Sequence, residues 1–378
     1  MAALVLLALA ASTPAGAAAD AAGLEARVAA LESELQALKS ELAALRNTPA
    51  PAPGPEQVAS QDPAATPEPT ARPAQSWFGY GELNYTRPSN DPAEARFDLS
   101  RFVVGLGYRF NERTRLQSEL EIEHAVSSAG DPGEVEIEQA YIEHELGRSL
   151  RAKMGLFLIP SGLLNTNHEP TRYYGVFRNF VETAIIPSTW REGGVGLQGD
   201  TRGGLRWDVG LSTGFDLSRW DASASDGTES PLGAIHQELA LARAADLSSY
   251  LAVDYLGRPG LRVGGSVFSG GAAQRQPGLS SNRVTLWETH ARWQPGRWDF
   301  AALYAHGHIS NTAAVNAGLL GMPTLIPENF YGWYGEAAWR GWRERRWPLT
   351  PFLRYERFNT AASYAMLAFG LTPPALPI

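Results

Sequence analysis

Few residues in this sequence could carry out chemistry, and most lack the partners that a reaction needs. His306-x-His308 sets two imidazoles on one face of an extended segment, as a zinc site would, but no third ligand accompanies them. Glu119 to Glu123 and Glu134 to Glu138 each hold carboxylates two residues apart. General acid–base work needs a substrate-positioning pattern around such a pair. These runs read more simply as wall charges, or as cation sites at the base of a loop. Cysteine is absent, so thiolate ligation and a disulfide framework are both excluded. No Ser/His or Asp/His constellation and no cofactor motif can be picked out. The expectation is a non-enzyme: no catalytic residues, no cofactor-binding residues and no metal site.

Arginine carries the remaining chemistry. Of 32 Lys and Arg only Lys39 and Lys153 are lysine, leaving 30 arginines. A guanidinium holds carboxylate or phosphate bidentately and cannot lose its charge. The net charge of −8 argues against nucleic acid as a partner, because a phosphate-binding surface needs a basic excess.

The elements that must position these arginines have a period of two. Phe102, Val104, Leu106, Tyr108 and Phe110 alternate with Arg101, Gly105, Gly107 and Arg109. Leu116, Leu120 and Ile122 oppose Arg113, Arg115, Gln117, Glu119, Glu121 and Glu123. Leu150 to Leu158, Leu205 to Leu211 and Trp287 to Trp293 repeat the pattern. Roughly thirteen such segments are long enough to cross a bilayer as tilted strands. Gly133 to Leu146 and Tyr331 to Trp342 alternate poorly. No apolar run of about 18 residues follows the N-terminus, so a helical span is excluded.

The connections sort by length. Tight ones centre on Asn111-Glu112, Leu146 to Arg148, Asp200 to Gly203, Gly257 to Gly260, Gln294 to Arg297 and Arg343 to Arg346. Long ones are Arg87 to Glu94, Val126 to Gly133, Pro160 to Trp190, Leu217 to Ser248, Gly271 to Arg283 and Asn311 to Phe330. Short turns at one end and long loops at the other predict a transmembrane antiparallel β-barrel, an all-β fold whose sheet closes because unpaired amides cannot face hydrocarbon. Trp293 with Trp298, Trp342 with Trp347, and Tyr108 with Phe110 bracket tight turns as an interfacial girdle would.

In such a barrel the polar face lines the lumen. The expected pore-lining residues are Arg101, Arg109, Arg113, Arg115, Glu119, Glu121, Arg151, Lys153, Arg206, Asp208, Arg262, Glu288, Arg292, Arg354 and Glu356. An arginine-rich wall would favour anionic solutes; equally, these arginines could pair with lumenal carboxylates and hold the wall rigid. The third long loop, Pro160 to Trp190, is expected to fold into the lumen and narrow it. It would place His168, Arg172, Tyr173, Tyr174, Arg178, Glu182 and the adjoining Arg191 at the constriction.

Ahead of the barrel (76–378) the composition changes three times. Residues 1–19 read as a signal peptide with small-residue cleavage sites. Residues 20–46 hold a heptad repeat with Val28, Leu35 and Leu42 at a, and Leu24, Leu31, Leu38 and Leu45 at d. Its g-to-e pairs, Arg27–Glu32, Glu34–Lys39 and Glu41–Arg46, are all of opposite sign, which predicts a parallel coiled coil of two or three helices. Residues 47–75 are a proline-rich spacer.

Gly155-Leu-Phe-Leu-Ile-Pro160, Asn165 to Pro170, Ile185 to Gly194 and Asp254 to Gly260 resemble the corresponding stretches of the phosphate-selective porin O and P family, over most of Ser76 to Asn359. The resemblance implies a sixteen-stranded trimeric outer-membrane barrel with an inward third loop, an anion-biased lumen and a periplasmic coiled coil. The family's lysine clusters are not matched, since Lys153 is the only lysine after the spacer. The last residues, Leu371 to Ile378, cannot form a closing strand, so about three further strands are expected beyond them. The expected function is passive diffusion of small hydrophilic, anionic solutes through the outer membrane, with lipid around a homotrimer. The alternative is a non-channel envelope tether whose barrel anchors the coiled coil.

Overall fold

The computed structural model describes residues 74–128, 133–342, 346 and 348–365, together with Ser33, Gln36, Lys39 and Ser40. Those four are helical and exposed. Otherwise the expected signal peptide, coiled coil and spacer lie outside the described residues, as do 366–378.

Among the described residues thirteen strands pair antiparallel in chain order, each with its sequence neighbour. They are β1 (Gln75–Thr86), β2 (Arg96–Arg109), β3 (Thr114–Glu123), β4 (Val135–Gly147), β5 (Leu150–Leu158), β6 (Arg191–Asp200) and β7 (Leu205–Ser212). The second half comprises β8 (Ser248–Arg258), β9 (Leu261–Gly271), β10 (Arg283–Trp293), β11 (Trp298–Ile309), β12 (Asn329–Trp339) and β13 (Phe352–Ser363). Turn chemistry closes one end. The Asn111 side chain accepts from the amides of Arg113 and Thr114, both at 2.9 Å. Between β8 and β9, Pro259 leads into Gly260 at φ +75°, a conformation that only glycine adopts at little cost.

The expected tight turn at Arg343 to Arg346 lies largely outside the described residues. β12 ends at Trp339 and β13 starts at Phe352. Pro348 and Pro351 have no N–H to give a ladder. Pro351 contributes only its carbonyl, which accepts from the Trp339 amide at 2.9 Å.

The two faces of the sheet are inverted relative to a water-soluble protein. Met154 is 61% exposed and Leu353 76%, whereas Glu121 is 2% exposed and Glu138 is fully buried. Such an arrangement is favourable in lipid, where apolar side chains face the solvent and charges turn to the interior. β4 obscures this alternation because it carries a bulge. Glu119 pairs with Gln139 but Leu120 with Ile137, so Glu138 is an extra residue. The bulge puts Glu136, Glu138, Gln139 and Tyr141 on the inner side while Val135, Ile137 and Ile142 stay exposed.

The interior is not uniformly wet, as the alternation alone would have it. At the long-loop end it holds a dry cluster in which Phe157, Ile159, Val181, Ile185 and Trp190 meet Phe215, Leu232, Phe268, Leu286 and Phe330. Trp190 stacks on Phe215 at 5.3 Å and meets the edge of Phe268 at 4.6 Å. The long loops supply apolar side chains that inward-facing strand residues cover. This is why β12 alternates poorly: a Cβ on its inward Gly332 would lie 3.1 Å from both Val181 and Ile185, so both faces of that strand meet apolar neighbours.

Candidate functional site

The segment between β5 and β6, residues 159–190, runs through the interior and shows how the sheet curls around it. Ser266 of β9 donates to Ser161 at 3.2 Å. Tyr174 donates to Asp299 of β11 at 2.9 Å, and Tyr334 of β12 to Glu182 at 2.9 Å. The Phe180 amide donates to Glu356 of β13 at 2.7 Å, and Phe180 stacks on Phe358. On the other side His168 lies 3.4 Å from Glu138 of β4. One segment thus touches strands far apart in the sheet.

Its own fold is held by two buried side chains. Asn165 donates to the carbonyls of Ile159 (2.7 Å) and Trp190 (2.8 Å) and accepts from the Trp190 amide, tying the segment's two ends together. Glu182 accepts four hydrogen bonds: from the amides of Leu163 (2.6 Å) and Leu164 (2.7 Å), from Asn179 (3.0 Å) and from Tyr334. Gly162, at φ +74°, allows this approach, because a Cβ there would sit 2.4 Å from the Glu182 carboxylate. Burial, followed by the hydrogen bond to and the charge of Asp299, raises the Tyr174 hydroxyl above its ordinary range, so it remains a donor. Arg178 donates to Ser188 (2.6 Å), Thr189 and the His168 carbonyl. Burial and then the like charge of Arg101 lower its pKa, although a guanidinium keeps its proton throughout. Arg172 sits beside Glu169, half exposed, at 3.6 Å. Tyr173 is partly buried on the same stretch.

Beneath this segment, toward the tight turns, the wall is a lattice of ion pairs. Arg115 meets Glu143 at 2.6 Å, and Arg151 meets Asp200 at 3.0 Å. Lys153 donates to Asp208 at 2.7 Å and lies over the Phe157 ring. Arg206 binds Asp200 (2.8 Å), Arg262 binds Asp254 (2.7 Å), Arg292 binds Asp299 (2.8 Å) and Arg354 binds Glu336 (2.8 Å). Arg101 lies 3.4 Å from both Glu82 and Glu121. Glu288 is buried against His290 at 2.8 Å, and Glu119 accepts from Gln139. Arg109 closes β2, whereas Arg113 sits exposed in the turn after it, outside any strand. Arg191, at the start of β6, is buried between Glu136 and Glu238.

The carboxylate partners Glu143, Asp200, Asp254, Asp299 and Glu336 were not singled out from sequence. The signal was there in register form: Arg115 faces Glu143, Asp200 faces Arg206 and Glu336 faces Arg354 directly across neighbouring strands. It becomes readable only once pairing is known.

Two polar cavities open under the inward segment. One, of about 310 Å³, is bounded by Glu143, Lys153, Asn167, Gln198, Asp208 and Arg262. The other, of about 350 Å³, is bounded by Asn167, Arg172, Arg258, Arg292 and Gln294. Asn167 of the inward segment borders both. Spaces of this size, lined by charged side chains, suit small hydrophilic solutes rather than an apolar ligand.

No family model matches the chain. A protein of Aquifex aeolicus (strain VF5), described only as uncharacterized, is 31% identical over 295 residues; the match covers 75% of this chain and 66% of that relative's length. Among solved structures, OmpF of Salmonella typhi, in complex with daunomycin, aligns with a TM-score of 0.51 at 12% identity, covering 75% of this chain and 78% of that one. At that identity the likeness shows the fold alone. The chain has a porin-like fold, an antiparallel sheet of the outer-membrane β-barrel type.

Proposed function

We propose that this chain is an outer-membrane porin that admits small hydrophilic solutes by passive diffusion, narrowed by residues 159–190. The observation that carries the reading is the inward segment itself, bound to β4 on one side and to β11–β13 on the other, above a charged, cavity-bearing wall. A segment so placed divides the interior and sets the width left for a solute. His168, Arg172, Tyr173, Arg178 and Glu182 then belong to the constriction. Surrounding lipid, a homotrimeric assembly and a periplasmic coiled coil complete the proposal; they rest on the inverted faces of the sheet and on the family resemblance.

Anionic solutes are favoured in this reading because the arginine outreaches its partner in several pairs. The Arg115 side chain is 55% exposed and that of Glu143 10%; for Arg292 and Asp299 the values are 31% and 2%. A solute therefore meets guanidinium first, with the neutralising carboxylate behind it. Recording single channels of the full-length protein in planar bilayers tests the function. Discrete conductance steps and a reversal potential of anionic sign are expected. A barrel that passes no ion-selective current would leave the envelope-tether reading, which the dry cluster at the long-loop end would then explain.

Selectivity has its own prediction. Arg115→Gln with Arg206→Gln removes two charges whose heads are about half exposed, which spares folding. A unit charge 4 Å from a solute ion contributes about 1 kcal/mol in water, or roughly fivefold in local anion concentration per site. Reversal potentials at 0.1 M salt should show the anion-to-cation permeability ratio falling several-fold, with the difference shrinking at 1 M as screening shortens to about 3 Å. An unchanged ratio at low salt would remove arginine from the selectivity mechanism.

A further inference from the structure

Where the inward segment meets β3 and β4, acceptors converge on one point. One carboxylate oxygen each from Glu119 and Glu138 and an imidazole nitrogen of His168 lie within 4.8 Å of one another, and all three residues are buried. A second trio, Glu121, Glu136 and Glu138, is equally close. The bulge in β4 creates the arrangement, because it turns Glu136 and Glu138 to the side that Glu119 and Glu121 already occupy.

Glu138 is 0% exposed, and among the described residues neither of its carboxylate oxygens accepts a hydrogen bond. His168 is 4% exposed; its Nδ1 faces the Asn165 carbonyl at 3.2 Å and must carry a hydrogen there. That leaves Nε2, which has no hydrogen-bond partner among the described residues, aimed at the Glu138 carboxylate 3.4 Å away. A buried carboxylate whose oxygens accept no hydrogen bond is costly to leave uncompensated.

The charges tell the same story. Among the described residues the guanidiniums beside these four carboxylates are Arg101, which Glu121 shares with Glu82, and Arg191, which Glu136 shares with Glu238. Arg178, the next guanidinium, gives its hydrogen bonds to Ser188, Thr189 and the His168 carbonyl instead. The carboxylates therefore outnumber the guanidiniums by at least two, the charge that one divalent cation brings.

We propose that a first-row divalent cation binds between Glu119, Glu138 and His168, with Glu121 or Glu136 completing its shell. Ligands bonded at about 2.0–2.2 Å to such an ion stand roughly 3–4 Å apart, so the observed spacing needs only a small contraction. The imidazole favours Zn²⁺ over Ca²⁺ and Mg²⁺, which prefer all-oxygen shells, and the carboxylates also admit Mn²⁺. The ion would fasten the inward segment to the β3–β4 wall opposite its anchor at Tyr334. This departs from the sequence reading, which expected no metal site.

Binding is measured without any current, so the result stands apart from the channel proposal. Zn²⁺ titrated calorimetrically into the metal-stripped full-length protein in detergent should bind at one equivalent. Mn²⁺ should bind at the same site, read by loss of its free-ion electron paramagnetic resonance signal. His168→Gln and Glu138→Gln should each weaken Zn²⁺ by about 10–100-fold or more. His306→Ala with His308→Ala, which removes the outward-facing pair, should leave the equivalent intact. Should Glu138→Gln fail to fold, His168→Gln alone decides. Zn²⁺ binding that is absent, or unaffected by His168→Gln, or lost with the His306 and His308 replacement, overturns the proposal.

Discussion

Replacing Glu182 by alanine is expected to release the inward segment and raise single-channel conductance, with added current noise as the segment samples open positions. The buried carboxylate accepts four hydrogen bonds, from Leu163, Leu164, Asn179 and Tyr334. Deleting it leaves these donors without an acceptor in a dry setting, where each unmade bond costs about 1–3 kcal/mol. Local relaxation recovers part, so a net loss on the order of 3 kcal/mol is a fair expectation, or about a hundredfold in the ratio of closed to open segment. The strands keep their ladders, so the barrel should survive. Glu182→Gln, which keeps two acceptor lone pairs but loses the charge, should fall between parent and alanine variant. If the alanine variant conducts like the parent with the same noise, Glu182 does not hold the segment and the constriction must be set elsewhere.

Val209→Arg should impair insertion of the folded sheet into bilayers. Val209 lies mid-strand in β7, exposed on the same side as Leu205 and Leu211, with Asp208 buried on the other. In soluble surroundings an exposed valine tolerates arginine within about 0.5 kcal/mol. On a lipid face near the bilayer midplane the same change costs about 2–4 kcal/mol. Equilibrium unfolding by urea from lipid vesicles gives the number directly, with Val209→Leu staying near the parent. A cost near zero for arginine would mean that this side of the sheet does not face hydrocarbon, and the membrane reading of the fold would go with it.

The strands were legible in the sequence because a sheet with one apolar and one charged face writes a period of two into the chain, as Phe102 to Phe110 does. Loop sorting was legible too, since a connection's length is read by counting. β4 and β12 were not, for different reasons. In β4 a bulge adds one residue at Glu138, which shifts the parity that alternation depends on. In β12 the inward face is apolar because Val181 and Ile185 pack on it, so neither side contrasts with the other. β13 begins just after Pro351, which has no N–H to extend the ladder further.

The candidate site divides along the same line. Arg101, Arg151, Arg262, Arg292 and Arg354 were placed on the inner face by parity, which is a local property. Their carboxylate partners depend on register between strands, and the tie from Glu182 to Tyr334 joins residues 152 apart in the chain. The cluster of Glu119, Glu138 and His168 is further from view still: it needs a bulge, a pairing and an inward loop to coincide. By itself, then, the sequence determined that the chain makes an antiparallel sheet with a greasy outside and charged inside, because solvent preference acts on each residue separately. Only the tertiary structure decided which charges neutralise one another, where the interior is dry and what the third loop touches, because those depend on distances between parts of the chain that local pattern does not encode.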